Sequence, residues 1–447
     1  MYVRTLRWRN NSNCTGFSEE DEANMSTLSS KNVTVLPDTP PVLSLNERDR
    51  RWRGLQVIME RRELSAIIVG SFRSRELYES YLIDDFLDSV VLLPQQGEAI
   101  VLTIAPGRVS RILESARRGV ETWASNIRIG SKGSDVAQAL QELGIASQRI
   151  GVVGFGPTAP GEVEGIIPLG FWNSLTKSAP EAKFEDFTQD FTDFVLIKSE
   201  EEIALLRHAA KISDLACESM VEASRPGVSE AVVYAEIMRT IYANGCGVRY
   251  PYLSLQSGPD NISWGAPQWL FRAESPRTLC AGDLVQAEIH TCYGGQEAQV
   301  QMSVALDPVD DEIRRCEDVA HESYDAGLAA VKPGATFGEV VAAMAEPISR
   351  HGCWSKTPLL HTLTFGSTGF TPVNREQVHG TREEWLEGKM RPGVRRPDLV
   401  LKPGMGLELE PNACIGMKRV NVGAGVLVTE TGYEELNSVP TRVRHTS

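Results

Sequence analysis

Apolar and polar positions change character twice along this chain. Up to about residue 44 they show no period, and Pro37, Pro40 and Pro41 sit near the end of a polar stretch. Such a segment cannot bury enough apolar surface to order itself, so residues 1–44 read as a disordered or draped arm, with Met25 a second possible start. From Glu47 the pattern turns regular. Leu55, Val57, Ile58 and Met59 give Arg51–Arg62 an apolar helical stripe, and Ala66–Gly70 follows as a short buried strand. Val90–Leu93 and Ala99–Thr103 flank Gln95-Gln96-Gly97-Glu98 as a hairpin. Helical periods over Val109–Arg117 and Val136–Leu143 precede a strand at Arg149–Gly154. Strands alternating with helices predict an α/β unit over residues 45–194.

A second unit is expected over 195–440, with a short tail at 441–447. Ser199 can cap a helix whose first turn holds Glu200, Glu201 and Glu202, favourably placed at the positive end of the helix dipole. An internal repeat then appears. Arg225-Pro226-Gly227 opens a segment ending Gly245-Cys246, and Lys332-Pro333-Gly334 opens one ending Gly352-Cys353. Val233 matches Val340, Ala235 matches Ala342 and Ile241 matches Ile348, always 107 residues apart. Each copy has a Pro-Gly turn, a Ser or Thr cap, an amphipathic helix and a glycine stop. Two related halves packed about a pseudo-twofold axis follow, with a site expected in the cleft between them.

The chain has 447 residues and a net charge of −14, with 42% hydrophobic and 23% charged residues. That balance suits a large globular core and argues against a nucleic-acid backbone or an anionic membrane as the partner. No apolar run reaches the length of a transmembrane helix, and the first 25 residues lack the apolar stretch of a secretory signal. Eight cysteines are scattered without metal-like pairs, as expected of reduced thiols in a cytoplasmic protein.

Several motifs together carry a family resemblance. They are Ile197-Lys198-Ser199-Glu200-Glu201-Glu202-Ile203, Pro226-Gly227-Val228-Ser229-Glu230, Ser257-Gly258-Pro259, Gly282-Asp283-Leu284-Val285, Lys402-Pro403-Gly404-Met405 through Glu410-Pro411, and Val426–Gly432. On them the chain resembles the creatinase/aminopeptidase P/methionine aminopeptidase family. The resemblance implies a creatinase-type N-terminal α/β domain followed by a pseudo-twofold pita-bread catalytic domain, and a homodimer acting on a small-molecule substrate.

The resemblance also implies where a metal pair would sit. Metal-dependent members use two aspartates, a histidine and two glutamates, the oxygen-rich set that such divalent ions favour. Here the first aspartate position falls on Glu288, the second on Gln299, the histidine on His361, the first glutamate on Glu410 and the second on Gly423. With a neutral amide and a bare glycine in the set, a dinuclear centre is not expected. A single divalent metal at Glu288, His361 and Glu410 is the alternative.

Strand alternation puts Glu288 with His290, Gln299 with Gln301, and Glu408 with Glu410. The expected catalytic residues are therefore His361, Glu410, Glu288 and His290, with Gln299, Gln301 and Trp264 binding substrate. Each also has an ordinary structural reading. Glu408 reads as a solvated strand residue, His290 as a satisfied structural histidine, and the two glutamines as backbone partners. Trp264, Trp269 and Phe271 read as a cleft wall suited to a flat or cationic group or, equally, as packing residues. Thr371–Leu399, which contains His379, reads as an insertion or lid. The resulting expectation is a metal-independent hydrolase or lyase of a small polar C–N-containing metabolite, working by general acid/base chemistry. A metal-dependent Xaa-Pro dipeptidase and a non-catalytic binding protein are the alternatives.

Overall fold

A computed structural model describes residues 33–70, 72, 77–156, 165–248, 253–260, 262–356, 358–364 and 396–446. His379 and most of the expected insertion lie outside the described residues. The N-terminal region is a six-stranded sheet with helices on its faces. Its helices are α1 (Leu45–Arg61), α2 (Tyr78–Ile83), α3 (Pro106–Arg117), α4 (Gly133–Glu142), α5 (Leu169–Ser178) and α6 (Thr188–Val195). Its strands are β1 (Ala66–Gly70), β2 (Ser89–Pro94), β3 (Ile100–Thr103), β4 (Asn126–Ile129), β5 (Arg149–Val152) and β6 (Lys183–Asp186), in the order β4-β3-β2-β1-β5-β6. β1 is buried along its whole length because it runs between antiparallel β2 and parallel β5, which is why it reads as an unbroken apolar run. The expected hairpin is β2–β3, with Leu92 opposite Ile100.

The second region begins with α7 (Glu200–Ala223) and α8 (Glu230–Ala243) and continues through β7 (Ser254–Gly258), β8 (Leu284–Tyr293) and β9 (Gln296–Leu306). Helices α9 (Asp311–Ala330) and α10 (Phe337–Arg350) follow, then β10 (Trp354–Ser355), β11 (Leu360–Thr362), β12 (Gly406–Leu409), β13 (Asn412–Ile415), β14 (Lys418–Asn421), β15 (Gly423–Val428), β16 (Tyr433–Glu435) and β17 (Arg444–Thr446). The large sheet runs β11-β12-β15-β9-β8-β7, and β10-β13-β14 form a small sheet beside it.

The repeat is visible in the backbone. α8 and α10 have the same length and start 107 residues apart, capped by Ser229 and Thr336. Gly227 and Gly334 take positive φ (88° and 86°), which a side chain would disfavour, and turn the chain into each helix. Their amides donate to the carbonyls of Leu279 and Leu401, while the amides of those leucines return to Val228 and Ala335. One apolar core packs α7 and α8 onto β7–β9; the other packs α9 and α10 onto β12–β15. With both helix pairs on one side of the sheet, the other side is left for the site.

That other side is tied to the N-terminal region by buried charge. Glu202, in the first turn of α7, closes a capping box with Ser199 and lies 3.2 Å from the Arg51 guanidinium and 2.8 Å from that of Arg50, both on α1. Arg51 is also 2.7 Å from Glu47 and donates to the Tyr81 carbonyl at 2.8 Å. The end of the arm is draped. Ser44 is held by Glu201 at 2.7 Å, the Leu36 amide donates to Asn244 and the Tyr293 hydroxyl donates to the Pro41 carbonyl. The seven described cysteines are all free. No described helix is long and apolar enough to cross a membrane.

Removing one partner of a buried ion pair strands the other. Glu202→Ala is expected to cost about 3–5 kcal/mol of stability, read from the shift of a urea unfolding curve. Glu434→Ala breaks only the exposed pair with Arg207 and should cost under about 1 kcal/mol. Equal effects would remove Glu202 from its role as the link between the regions.

Candidate active site

The strand register collects the expected residues. Glu288 pairs with Gln301 and His290 with Gln299 across β8–β9; Gln301 pairs with Gly423, Gly425 with Glu408, and Glu408 with His361. Opposed residues share a face, so these side chains line one floor. Leu409, the alternate residue on β12, points instead toward α9, where a Cβ on Gly327 would meet it at 2.9 Å.

Two carboxylate–imidazole pairs dominate that floor. His361 Nε2 lies 3.2 Å from Glu410, and its Nδ1 donates to the Thr362 carbonyl at 3.1 Å. His290 Nε2 lies 3.2 Å from Glu288, and its Nδ1 lies 3.2 Å from Glu297. Gln299 bridges the pairs, donating to Glu288 at 2.6 Å and lying 3.5 Å from Glu410. Gln301 donates to Glu410. It is oriented by Asn421, which donates to its amide oxygen and so turns the amide nitrogen toward the carboxylate. The glutamines thus serve carboxylates, in place of the backbone partners their sequence also allowed.

The electrostatics follow from burial. Burial pulls the His290 imidazole down, but Glu288 and Glu297 outweigh it and push it up to about 10. Burial likewise opposes the charge on His361, and Glu410, with the Thr362 carbonyl, raises it above the ordinary histidine value. Burial would raise Glu288, yet His290, the Trp264 indole and His361 hold it below the usual carboxylate range. For Glu410 burial wins: His361 opposes it, the Glu288 charge adds to it, and the carboxyl ends above its ordinary value. One carboxylate is therefore firmly ionised and the other is closer to accepting a proton, the separation that acid/base work requires. Behind His361 and Glu297 a cavity of about 60 Å³, bounded also by Lys198, Glu202 and Gln296, has room for a few waters.

Two expectations are corrected. Glu408 is not solvated: it is 0% exposed, and neither carboxylate oxygen has a hydrogen-bond partner. Its neighbours on the floor are apolar; a Cβ on Gly425 would touch Leu436, Leu363 and the Glu408 carboxylate together. Burial first, then Glu410, Glu288 and Glu297, push the Glu408 carboxyl well above its ordinary value, so it holds its proton past the pH at which an exposed carboxyl loses it. A glutamate two residues from a site residue gives no sign in sequence of which neighbours will cover it. The aromatic group also splits. Trp264, half-exposed, reaches over the floor and donates its indole N–H to Glu288. Trp269 turns away, donating to Glu230 at 2.8 Å and packing edge-on against Tyr234. Phe271 is 69% exposed and does not join a wall.

The metal positions implied by the resemblance can be tested against this packing. Where a bridging cation would need lone pairs, Glu288 and Glu410 receive N–H groups from Gln299, Gln301 and Trp264. At 423 no ligand can be fitted without backbone movement, since a Cβ would sit 2.5 Å from the Leu409 carbonyl and 2.9 Å from the Glu410 Cα. The donor set does not fit two bridged divalent ions.

Glu408 gives a pH test. Its folded pKa is raised, so the native state binds a proton that the unfolded chain releases above its ordinary carboxylate range. The stability linked to Glu408 is full below about pH 4.5 and is lost as pH rises toward the folded pKa. Glu408→Gln keeps the neutral shape without that loss. Its melting temperature should match the wild type near pH 4.5 and exceed it increasingly from pH 6 to 8. A constant offset across pH would show that the acid is ionised when folded.

The site can now be set beside known proteins. Residues 204–431 match the profile of Metallopeptidase family M24. Creatinase from Bacillus sp. strain B-0618 is 25% identical over 425 residues, covering 91% of this chain and 94% of creatinase. An Xaa-Pro dipeptidase from Pyrococcus horikoshii is 24% identical over 281 residues, covering 61% of this chain and 72% of its own. Among solved structures, the X-Pro aminopeptidase from Thermotoga maritima MSB8 superposes with a TM-score of 0.69 at 17% identity, over 88% of this chain and 99% of that one. The likeness confirms the expected fold, and the profile covers half of the chain: the protein belongs to the M24 metallopeptidase family.

Proposed function

We propose that this protein is a hydrolase of a small polar substrate, cleaving a C–N bond by acid/base chemistry without a bound metal. The observation that carries the reading is the His361–Glu410 pair at 3.2 Å, set on the same floor as Gln299, an amide donor at a position where metal-dependent members of the family carry an aspartate ligand. Creatinase, similar over nearly the whole chain, and the Xaa-Pro dipeptidase both bear names of enzymes that act on C–N bonds.

The chemistry balances with one proton between His361 and Glu410. With the imidazole charged and the carboxylate free, Glu410 takes a proton from the attacking water as its oxygen bonds to the substrate carbon. His361 gives its proton to the nitrogen as the C–N bond breaks, and proton transfer from Glu410 back to His361 resets the pair. Burial favours this exchange, because moving a proton within the pair creates no new net charge in a dry site. His290 acts at one remove. Held between Glu288 and Glu297, it keeps Glu288 ionised, and Glu288 in turn fixes Gln299 and Trp264. Trp264 is placed to cover the substrate. The convergent His/Glu pairs weigh against a binding protein without catalysis.

The test is turnover in excess EDTA against guanidino, ureido, cyclic amidine and Xaa-Pro dipeptide substrates. At least one is expected to be cleaved, at a rate that added Mn, Co or Zn does not raise. Glu410→Gln and His361→Asn should each lower kcat about 100-fold or more, with little change in melting temperature. The kcat–pH profile should be bell-shaped, with an acid limb above the ordinary carboxylate value and an alkaline limb above the ordinary histidine value. Activity that appears only after metal loading would overturn the reading in favour of a metal-dependent peptidase.

A further inference from the structure

The two regions of the chain enclose a cavity that the proposed chemistry does not use. It has a volume of about 220 Å³ and lies between α2 and the turn that joins β8 to β9. Arg51, Ser80, Asp84 and Phe86 line it from the N-terminal side, and Gly294 and Gly295 from the other. It is a separate space from the one behind His361, with which it shares Tyr81, Gly295 and Gln296 as a common wall. None of Glu288, His290, His361 and Glu410 borders it.

Polar groups of both signs face this cavity with capacity to spare. Arg51 is only 2% exposed. Its Nε donates to Glu47 and its Nη1 to the Tyr81 carbonyl. Its Nη2 lies 3.2 Å from Glu202, yet it is buried and makes no hydrogen bond. The Ser80 hydroxyl is likewise buried without a hydrogen-bond partner. Asp85 is taken by Arg111 and by the Phe86 amide, whereas Asp84, at the rim, makes no ion pair among the described residues. Burial raises the Asp84 carboxyl to about 6, with Arg51 pulling it down and Asp85 pushing it up. Donors and acceptors left open at a cavity wall cost free energy until something satisfies them.

The wall is also held against backbone preference. Leu77 and Asp84, at the two ends of α2, take φ of 55° and 48°, a left-handed conformation that a leucine rarely enters. Backbone of this kind persists where the surrounding structure over-determines it, and it clusters at ligand sites. Ser80 and Asp84 lie one turn apart, with the Asp84 amide 2.9 Å from the Ser80 carbonyl. One turn separates Cβ atoms by about 5–6 Å, a gap that the two charged ends of an amino acid can fill.

We propose that this cavity is a binding site for a small zwitterionic amino acid, with the carboxylate on Arg51 Nη2 and the Ser80 hydroxyl and the ammonium against Asp84. A short apolar side chain then rests among Leu77, Tyr81 and Phe86. A ligand with one charge satisfies one end and leaves the other open. A zwitterion satisfies both and adds no net charge where Arg50 and Arg51 are already matched by Glu47 and Glu202. Because α2 belongs to one region and the β8–β9 turn to the other, the bound amino acid bridges them and stabilises their docking. The site does not rest on the hydrolytic reading.

Saturation-transfer NMR titrations of the full chain test this without turnover. The probes are L-alanine with propionate and ethylamine, and L-leucine with 4-methylpentanoate and 3-methylbutylamine; each analogue lacks one of the two charged groups. In at least one set the amino acid should bind tenfold or more tightly than both analogues. Asp84→Asn keeps a residue type that tolerates the left-handed backbone and should weaken that binding at least fivefold. Ser80→Trp fills the cavity and should abolish it. Saturating amino acid should raise the melting temperature of wild type and leave that of Ser80→Trp unchanged. His361→Asn and Glu410→Gln should keep the affinity within twofold. If Ser80→Trp does not fold, Asp84→Asn and the wild-type ratios decide. No tenfold preference in either set would show a cavity filled by water and overturn the site. So would binding that survives Asp84→Asn but is lost in His361→Asn or Glu410→Gln, since the ligand would then lie on the catalytic floor.

Discussion

Buried negative charge is the constraint on which this site depends. Glu288, Glu297, Glu408 and Glu410 all lie on one face of a sheet whose other face is sealed by helices. Four carboxylates cannot all stay ionised there without compensation. Metal-dependent relatives in the resemblance meet the same problem with cations. On this floor imidazoles and N–H groups face the carboxylates: His290 and His361 are pushed above the ordinary histidine value, Gln299 and Gln301 donate, and the Glu408 carboxyl is raised well above its ordinary value. Each substitution in the ligand set makes sense only with the others. A glutamine in place of an aspartate removes a charge, and Gly423 leaves the space into which Leu409 and Glu410 close.

The duplication explains why the carboxylates meet at all. Leu279 and Leu401 make the same pair of hydrogen bonds to the turns before α8 and α10, and they lie 122 residues apart. Glu288 and Glu410 have that same separation. They are equivalent residues of the two halves, brought face to face by the pseudo-twofold packing. The halves then diverge. Glu288 is flanked by His290 on its own strand, whereas Glu410 meets His361 from the neighbouring β11. The symmetric frame thus holds an asymmetric pair of acids, one firmly ionised and one poised to take a proton.

Much of this was legible in the residues. The alternation of strands and helices, the capping signal at Ser199, and the repeat from Arg225 and Lys332 all describe short-range structure, which sequence encodes directly. Period-two alternation placed Glu288 with His290 and Gln299 with Gln301 correctly, because register on one strand needs no knowledge of its neighbours. What failed was long-range. Glu408 looked solvated because nothing nearby in sequence shows that Leu363 and Leu436 cover it. Trp269 could be read as cleft wall or as packing, because the partner that decides between them, Glu230, lies 39 positions away. Arg419 passed without notice, since an arginine in a hairpin is ordinarily exposed and only tertiary packing reveals that this one is buried.

These misses share a cause: the charge of the floor is balanced between strands that lie far apart in sequence. Anions on such a floor need partners, and the nearest ones are residues already pointing inward. His290 and Gln299 face each other across β8 and β9, so a single register supplies both an imidazole and an amide to Glu288. Arg419 and Asn421 do the same from β14, one adding positive field and the other orienting Gln301. The compensation is spread over three strands and no single residue accounts for it.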